Sequence, residues 1–353
     1  MKKNTVINNL FRNNLDYPFI VAEISGNHKQ SKKKALKLIQ EIKKAGANAV
    51  KLQTYTPDTM TFNLKTKDFL IKNKKSLWFG QYLYDLYKKA YTPWEWQKEL
   101  FEYANRLGLI CFSSVFDDTS IKFLKKLNNP IYKISSFENT DLELIKNACI
   151  EKKPIILSTG LASYSELKES VKIIKKYGCG KFALLKCTSS YPAKPIDNNL
   201  VTMIDISKRF NCVVGLSDHT TGTEIAMGAV ALGAKIIEKH VKLENDNTSV
   251  DSKFAINTEE LKYLVTSCKK IFESRGKIFY GPTKTEIPSI KNRRSLYYNS
   301  NLDKNAVISK KDLKRSRPGK GLKIKFLNKI IGKKINRKVK IGMPVNMKDF
   351  QKK

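Results

Sequence analysis

Eight short runs rich in β-branched residues, alternating with stretches of helical period, occupy the first 275 residues. They read FIVAEI (19–24), AVKLQT (49–54), LICFSS (109–114), IYKISS (131–136), PIILST (154–159), FALLKCT (182–188), CVVGLS (212–217) and KIIEKHV (235–241). The helix-period runs fit between them. The first places Ala35, Leu38, Ile39, Ile42 and Ala45 on one face and leaves Lys33, Lys34, Lys37 and Lys44 largely off it. The next opens at Thr92-Pro93-x-Glu95, which reads as an N-cap, a proline at the first helical position and a glutamate at the third. Ser163-x-x-Glu166 opens another, and later helices are expected over 198–210, 222–233 and 258–273. Eight such units in about 255 residues is the arithmetic of a (β/α)8 barrel. The competing fold, a doubly wound open sheet, carries a glycine-rich phosphate turn after its first strand; here that turn is SGNHKQ. The stretch 55–91 reads as a polar and aromatic, partly helical insertion after the second strand, on the active-site face.

Beyond residue 275 the texture changes. FYGPTKTEIPSIKN looks like a linker, so the expected division is a barrel over 1–275, a linker over 276–292 and a small, mostly β domain over 293–353. That domain offers only short apolar pieces separated by turns, a thin core that is expected to dock against a barrel.

Composition narrows the function classes. Hydrophobic residues make up 41% of the chain, enough for a real core, and no apolar run approaches the ~18 residues of a membrane span. The N-terminus is basic but lacks a signal-type apolar stretch. The six cysteines show no CxxC spacing and mostly lie in apolar runs, as buried free thiols do in a reducing cytoplasm. A net charge of +35 raises the question of nucleic acid. Only nine of the 67 basic residues are arginine, the lysines fall mainly on polar helix faces, and no nucleic-acid-binding signature is present. Residues 291–353 hold 21 Lys or Arg against three Asp, a basic lid suited to an anionic substrate. No specific nucleic-acid partner is expected.

Polar residues gather where barrel chemistry is done, at the C-terminal strand ends. The three histidines lie in GNH (26–28), SDH (217–219) and EKH (238–240). His219 and His240 each follow a β-branched run, and two imidazoles delivered by neighbouring strand ends suit one divalent metal ion. The plainer explanation, two polar loop residues on unrelated strands, is weakened because all the histidine sits beside other polar groups. Lys51 with Gln53, Lys133 with Ser136 and Glu138, and the hydroxyls of Ser113, Ser114, Ser158, Thr159, Thr188, Tyr191 and Ser217 share the same mouth. Two lysines among hydroxyls suit a phosphate and a carboxylate. A single strand lysine is usually a snorkelling edge residue; two at matching ends are not. Glu23, opposite the histidines, is a candidate acid or base, and Asp251 lies downstream of His240.

At these residues the chain resembles the sialic acid synthase family, the phosphoenolpyruvate-dependent synthases of nonulosonic acids. The likeness runs through AEISGNHKQS (22–31), KLQTYTPDTMT (51–61), YKISSFENTDL (132–142), LSTG (157–160), CTSSYP (187–192), GLSDHT (215–220), EKH and RSRPGKG (315–321). The last segment looks like the family's antifreeze-like (SAF) domain. KLQTYTPDTMT, AYTPWEW (90–96) and SSFENTDL look most like the pseudaminic acid synthase branch. Gln97 and Lys29 depart from that branch, where His and Asn are expected.

The resemblance implies a metal-dependent condensation of phosphoenolpyruvate with 2,4-diacetamido-2,4,6-trideoxy-L-altrose and water, giving pseudaminic acid and phosphate. It implies that His219 and His240 hold Mn²⁺ or Mg²⁺, and that Lys51, Ser114, Lys133, Ser136, Ser158 and Ser217 bind phosphoenolpyruvate. Glu23, Gln53, Glu138, Tyr191 and Asp251 would face the N-acetylated amino-sugar, with Glu23 the group that handles a proton. Arg317 would reach the acetamido group in the barrel of a second copy, making a domain-swapped homodimer. The rival readings are an N-acetylneuraminate or legionaminate synthase of identical chemistry and, from another class, a basic scaffold or nucleic-acid-binding protein that keeps a dead barrel.

Overall fold

A computed structural model describes residues 3–350. The chain forms two compact units that meet in sequence at Gly276 and Lys277. In the first, eight strands close into a barrel: β1 (Phe19–Glu23), β2 (Ala49–Thr54), β3 (Ile110–Val115), β4 (Tyr132–Ile134), β5 (Ile155–Ser158), β6 (Phe182–Cys187), β7 (Val213–Asp218) and β8 (Ile236–His240). Each pairs in parallel with the next, and β8 returns to β1. The (β/α)8 reading holds. Outward strand residues such as Ile20, Ala22, Val50 and Leu52 pack against the surrounding helices in one large core. The helix Lys32–Ala45 buries the five residues its period marks out, and Ser31 caps it.

The barrel interior is a second core. Val21, Ala49, Phe112, Ile156, Leu185, Val213 and Ile236 point inward, and Ile7 and Leu10 of the helix Lys3–Phe11 join them. Side chains alternate faces along a strand, so the inward set advances two residues at a time. After the apolar layers the next inward positions are Glu23, Lys51, Ser114, Lys133, Ser158, Cys187, Ser217 and Glu238. The interior therefore turns from hydrocarbon to charge towards the C-terminal ends of the strands. Gly215 occupies the inward register of β7, where a Cβ would lie 2.2 Å from the Ile236 carbonyl oxygen. No larger residue fits between β6 and β8 there.

Two local expectations change. The helix expected to be capped by Thr92 spans Trp94–Arg106 behind Pro93, with no side-chain cap; the Thr92 hydroxyl is engaged by His28 instead. The helix expected from 198 begins at Thr202, after a short 3-10 turn over Pro195–Asn198. The capping box at Ser163 and Glu166 forms as read. The insertion holds a short helix Pro57–Met60, a 3-10 turn and a helix Leu83–Ala90.

The second unit has one regular antiparallel pair, β9 (Ser295–Tyr298) with β10 (Leu313–Ser316), supplemented by isolated bridges such as Leu302 to Val339 and Ile335 to Phe350. Its core is Leu296, Tyr298, Ile308, Ile330, Ile335, Val339, Val345 and Phe350. The 3-10 helix Ile287–Asn292 lies in the segment read as a linker. No helix among the described residues is long and apolar enough to cross a membrane, and all six cysteines are free.

Candidate active site

A cavity of about 440 Å³ opens at the C-terminal ends of the strands. Its floor is an ionic cluster built from alternate inward positions. The Lys51 ammonium contacts the Glu23 carboxylate, donates to Ser114 Oγ at 3.0 Å and lies 3.5 Å from Glu238 Oε1. The Lys133 ammonium donates to Ser158 Oγ at 2.7 Å and lies 3.7 Å from the same Glu238 oxygen. Ser217 donates to that oxygen at 3.0 Å. All of these residues are buried.

Burial opposes every charge in this cluster, so its ionisation reflects mutual support. Burial would protonate Glu238, but Lys133, Lys51 and the Ser217 hydroxyl hold it down to about 2. Burial lowers Lys51, yet Glu23 and Glu238 overcome this and its pKa is raised. Lys133 has weaker support, and burial lowers its pKa. Two cations against two carboxylates, with Glu238 Oε2 carrying no hydrogen bond, form a site ready to exchange internal pairing for an anionic ligand. Glu138, at the cavity edge, is pushed up by burial to about 7, and its Oε2 also lacks a partner.

Beside this floor stand the two imidazoles. His219 and His240 have ring centroids 5.4 Å apart at 63°. The Nδ1–H of His219 donates to the Thr188 carbonyl at 2.9 Å, and that of His240 donates to Asp251 Oδ2 at 3.1 Å. In both rings this tautomer leaves Nε2 as a free lone pair, without a hydrogen-bond partner among the described residues. An Nδ1–H held by a carbonyl or carboxylate is the second-shell arrangement that orients metal-binding histidine. The donor set therefore fits a divalent ion that His219 and His240 would hold. Among the described residues no third His, Cys, Asp or Glu completes a protein cage, so the remaining positions would fall to oxygen ligands.

His28 does not join them. Its Nδ1 accepts from the Gln30 N–H and its Nε2–H donates to Thr92, 3.1 Å in each case. Burial pushes its pKa down to about 4, so it is a neutral core residue. Its neighbour Asn27 serves the site indirectly, donating to the Val241 carbonyl and accepting from Ser249 and from the Asp251 N–H. On β7 and β8 themselves, Lys239 donates to Asp218 Oδ2 at 2.7 Å in a fully buried pair that joins the two strands.

Of the residues singled out from sequence, Lys51, Gln53, Lys133, Ser136, Glu138, Ser158, Tyr191, Ser217, His219, His240 and Asp251 line one cavity. Glu23 and Ser114 lie in contact with Lys51. Tyr191 stacks its ring 4.4 Å from that of His219. Arg317 belongs to the second unit, where it is exposed. Asp251, expected to face the sugar, is engaged by His240. Sequence reasoning missed Glu238 and Cys187. Both were accessible by counting: Glu238 lies two before His240, and Cys187 two after the inward Leu185. The Cys187 thiol lies 3.8 Å from His219 Nδ1.

Residues 38–280 match the NeuB family. The pseudaminic acid synthase of Campylobacter jejuni subsp. jejuni serotype O:2 is 41% identical over 336 residues, 94% of this chain and 96% of that protein. The pseudaminic acid synthase of Helicobacter pylori is 38% identical over 347 residues, 96% of this chain and 99% of that one. Among solved structures, an N-acetylneuraminic acid (sialic acid) synthetase of Leptospira borgpetersenii, crystallised with citrate, superposes with a TM-score of 0.69. It is 32% identical, and the match covers 78% of this chain and 90% of that one.

Proposed function

The chain belongs to the NeuB family, and on that premise we propose that it makes pseudaminic acid from phosphoenolpyruvate and 2,4-diacetamido-2,4,6-trideoxy-L-altrose. The observation that carries the reading is the juxtaposition, in one cavity, of a two-lysine anion floor and two imidazoles with free Nε2 atoms.

The methylene carbon of phosphoenolpyruvate bonds to the aldehyde carbon of the open-chain sugar. Water adds to the former enol carbon, and phosphate leaves with cleavage of its bond to that carbon, giving a 2-keto-3-deoxy acid. Lys51 and Lys133, with the hydroxyls of Ser114, Ser136, Ser158 and Ser217, hold the phosphate and carboxylate and fix the face presented to the aldehyde. His219 and His240 would hold a divalent ion, Mn²⁺ or Mg²⁺, which would supply Lewis acidity when bound. Glu23, paired with Lys51, handles the proton of the new hydroxyl. Gln53, Tyr191, Glu138 and the loop bearing Asp251 face the sugar.

The second unit is the SAF domain, and its Arg317 binds the acetamido group in the barrel of a second copy, so the working form is a domain-swapped homodimer. The free thiols and the phosphoenolpyruvate requirement support a cytoplasmic reaction. The test is incubation with both substrates, with phosphate release and product mass as readouts and N-acetylmannosamine and the legionaminate precursor as competitors. Turnover is expected with the trideoxyaltrose, lost in EDTA and restored by Mn²⁺, and His240→Ala is expected to abolish it. Preferential turnover of another hexosamine would move the assignment to a sister synthase, and full activity in chelator would remove the metal.

A further inference from the structure

The cavity has two unlike halves. Besides the charged floor, the cavity has an apolar lining of Met60, Ile71, Trp78, Leu83 and Leu86, all from the insertion between β2 and the helix Trp94–Arg106. These side chains lie where a substrate-facing surface of a sugar enzyme would ordinarily be polar. The wall is held in place by its own backbone. The Ile71 N–H donates to the Gln81 carbonyl and the Gly80 N–H to the Ile71 carbonyl, both at 2.9 Å. The single polar atom of these side chains that can donate, Trp78 Nε1–H, is already given to the Val250 carbonyl at 3.2 Å. The Trp78 ring packs 5.7 Å from Tyr191, which stacks on His219. These five side chains thus sit one aromatic ring away from the imidazole pair and offer no free hydrogen-bond donor, while Tyr55 and Tyr87 of the same insertion also line the cavity.

A hydroxyl pressed against such a surface loses its water without replacement, whereas a methyl group gains by the same burial. We propose that this wall is the specificity surface for the far end of the sugar chain: it accepts a terminal methyl and disfavours a terminal hydroxymethyl or phosphorylated carbon. This rests on the reaction proposed above and adds which residues choose the substrate. An apolar pocket rejects an added hydroxyl by roughly 100-fold, and an added phosphate more strongly, because it would bury charge.

The test compares kcat/KM for 2,4-diacetamido-2,4,6-trideoxy-L-altrose with that for the same sugar bearing a 6-hydroxyl. Wild type is expected to favour the 6-deoxy sugar by about 100-fold. Ile71→Asn and Met60→Gln, both at partly exposed positions that tolerate polarity, should each shrink that preference about tenfold or more. Equal use of the two sugars by wild type overturns the wall's role while leaving the reaction intact. So does an equal loss on both sugars in both variants. Phosphate release from neither sugar overturns the reaction and this inference with it.

Discussion

Replacing Asp251 with Asn removes one negative charge from behind His240 and changes little else in volume. In the native protein Asp251 Oδ2 accepts the His240 Nδ1–H at 3.1 Å, and the carboxylate is buried. Burial would raise its pKa, but the hydrogen bond from His240, supported by one from Ser25, outweighs it, and the pKa is lowered. The carboxylate can only accept, so it holds the proton on Nδ1 and the lone pair on Nε2. An amide can accept weakly or turn its NH₂ towards the ring, and the second choice moves the imidazole proton to Nε2, where it blocks a metal ion. Loss of such a second-shell carboxylate typically costs 10- to 100-fold in metal affinity, or about 1.4–2.7 kcal/mol. The assay is titration of the protein with Mn²⁺, following the free ion by electron paramagnetic resonance, and separately the sugar KM at saturating Mn²⁺. Asp251→Asn should weaken Mn²⁺ binding by that factor. An unchanged Mn²⁺ affinity with a raised sugar KM would refute the orienting role and return Asp251 to the sugar contact that the family resemblance implies.

Two further outcomes follow from buried charge elsewhere. Lys239→Met leaves Asp218 buried beside only the Thr220 amide and hydroxyl, and should cost about 3–5 kcal/mol in urea unfolding; adding Asp218→Asn should recover much of that, and an unaltered midpoint in the single variant would count against the pair. Glu138 has its pKa raised from 4.5 to about 7 by burial. The folded protein therefore binds this proton more tightly than the unfolded chain, so the Glu138 contribution to stability is greatest below about pH 4.5 and is lost as pH rises to about 7. Glu138→Gln should be more stable than wild type at pH 8 by up to about 3 kcal/mol and equal to it near pH 4; thermal unfolding at the two pH values checks the sign.

Much of the site was legible because a strand's side chains alternate. Once the eight strands are recognised, Lys51, Ser114, Lys133, Ser158 and Ser217 fall at inward positions near their ends without any three-dimensional information. Glu238 obeys the same count, two residues before His240 on β8. Thr92 misled for a different reason. Its spacing from Glu95 satisfies a capping rule, but the hydroxyl has a better partner in His28, which is 64 residues away in sequence. Local patterns rank local partners, and a buried imidazole needing an acceptor outweighs a helix terminus that can bond to water.

The order of strands, the period of the helices and the polar character of the strand ends were determined by the sequence alone, since each depends on neighbours within a few residues. Which of those polar groups touch was decided only by closure of the barrel. Joining β8 to β1 sets one stagger for all eight strands, and that stagger brings Lys51 and Lys133 to the same Glu238 oxygen. The loop after β8 then decides the rest, carrying Asp251 back to His240 and leaving His28 outside. No periodicity encodes these pairings, because they arise from the geometry of a closed surface on which residues distant in sequence occupy one layer.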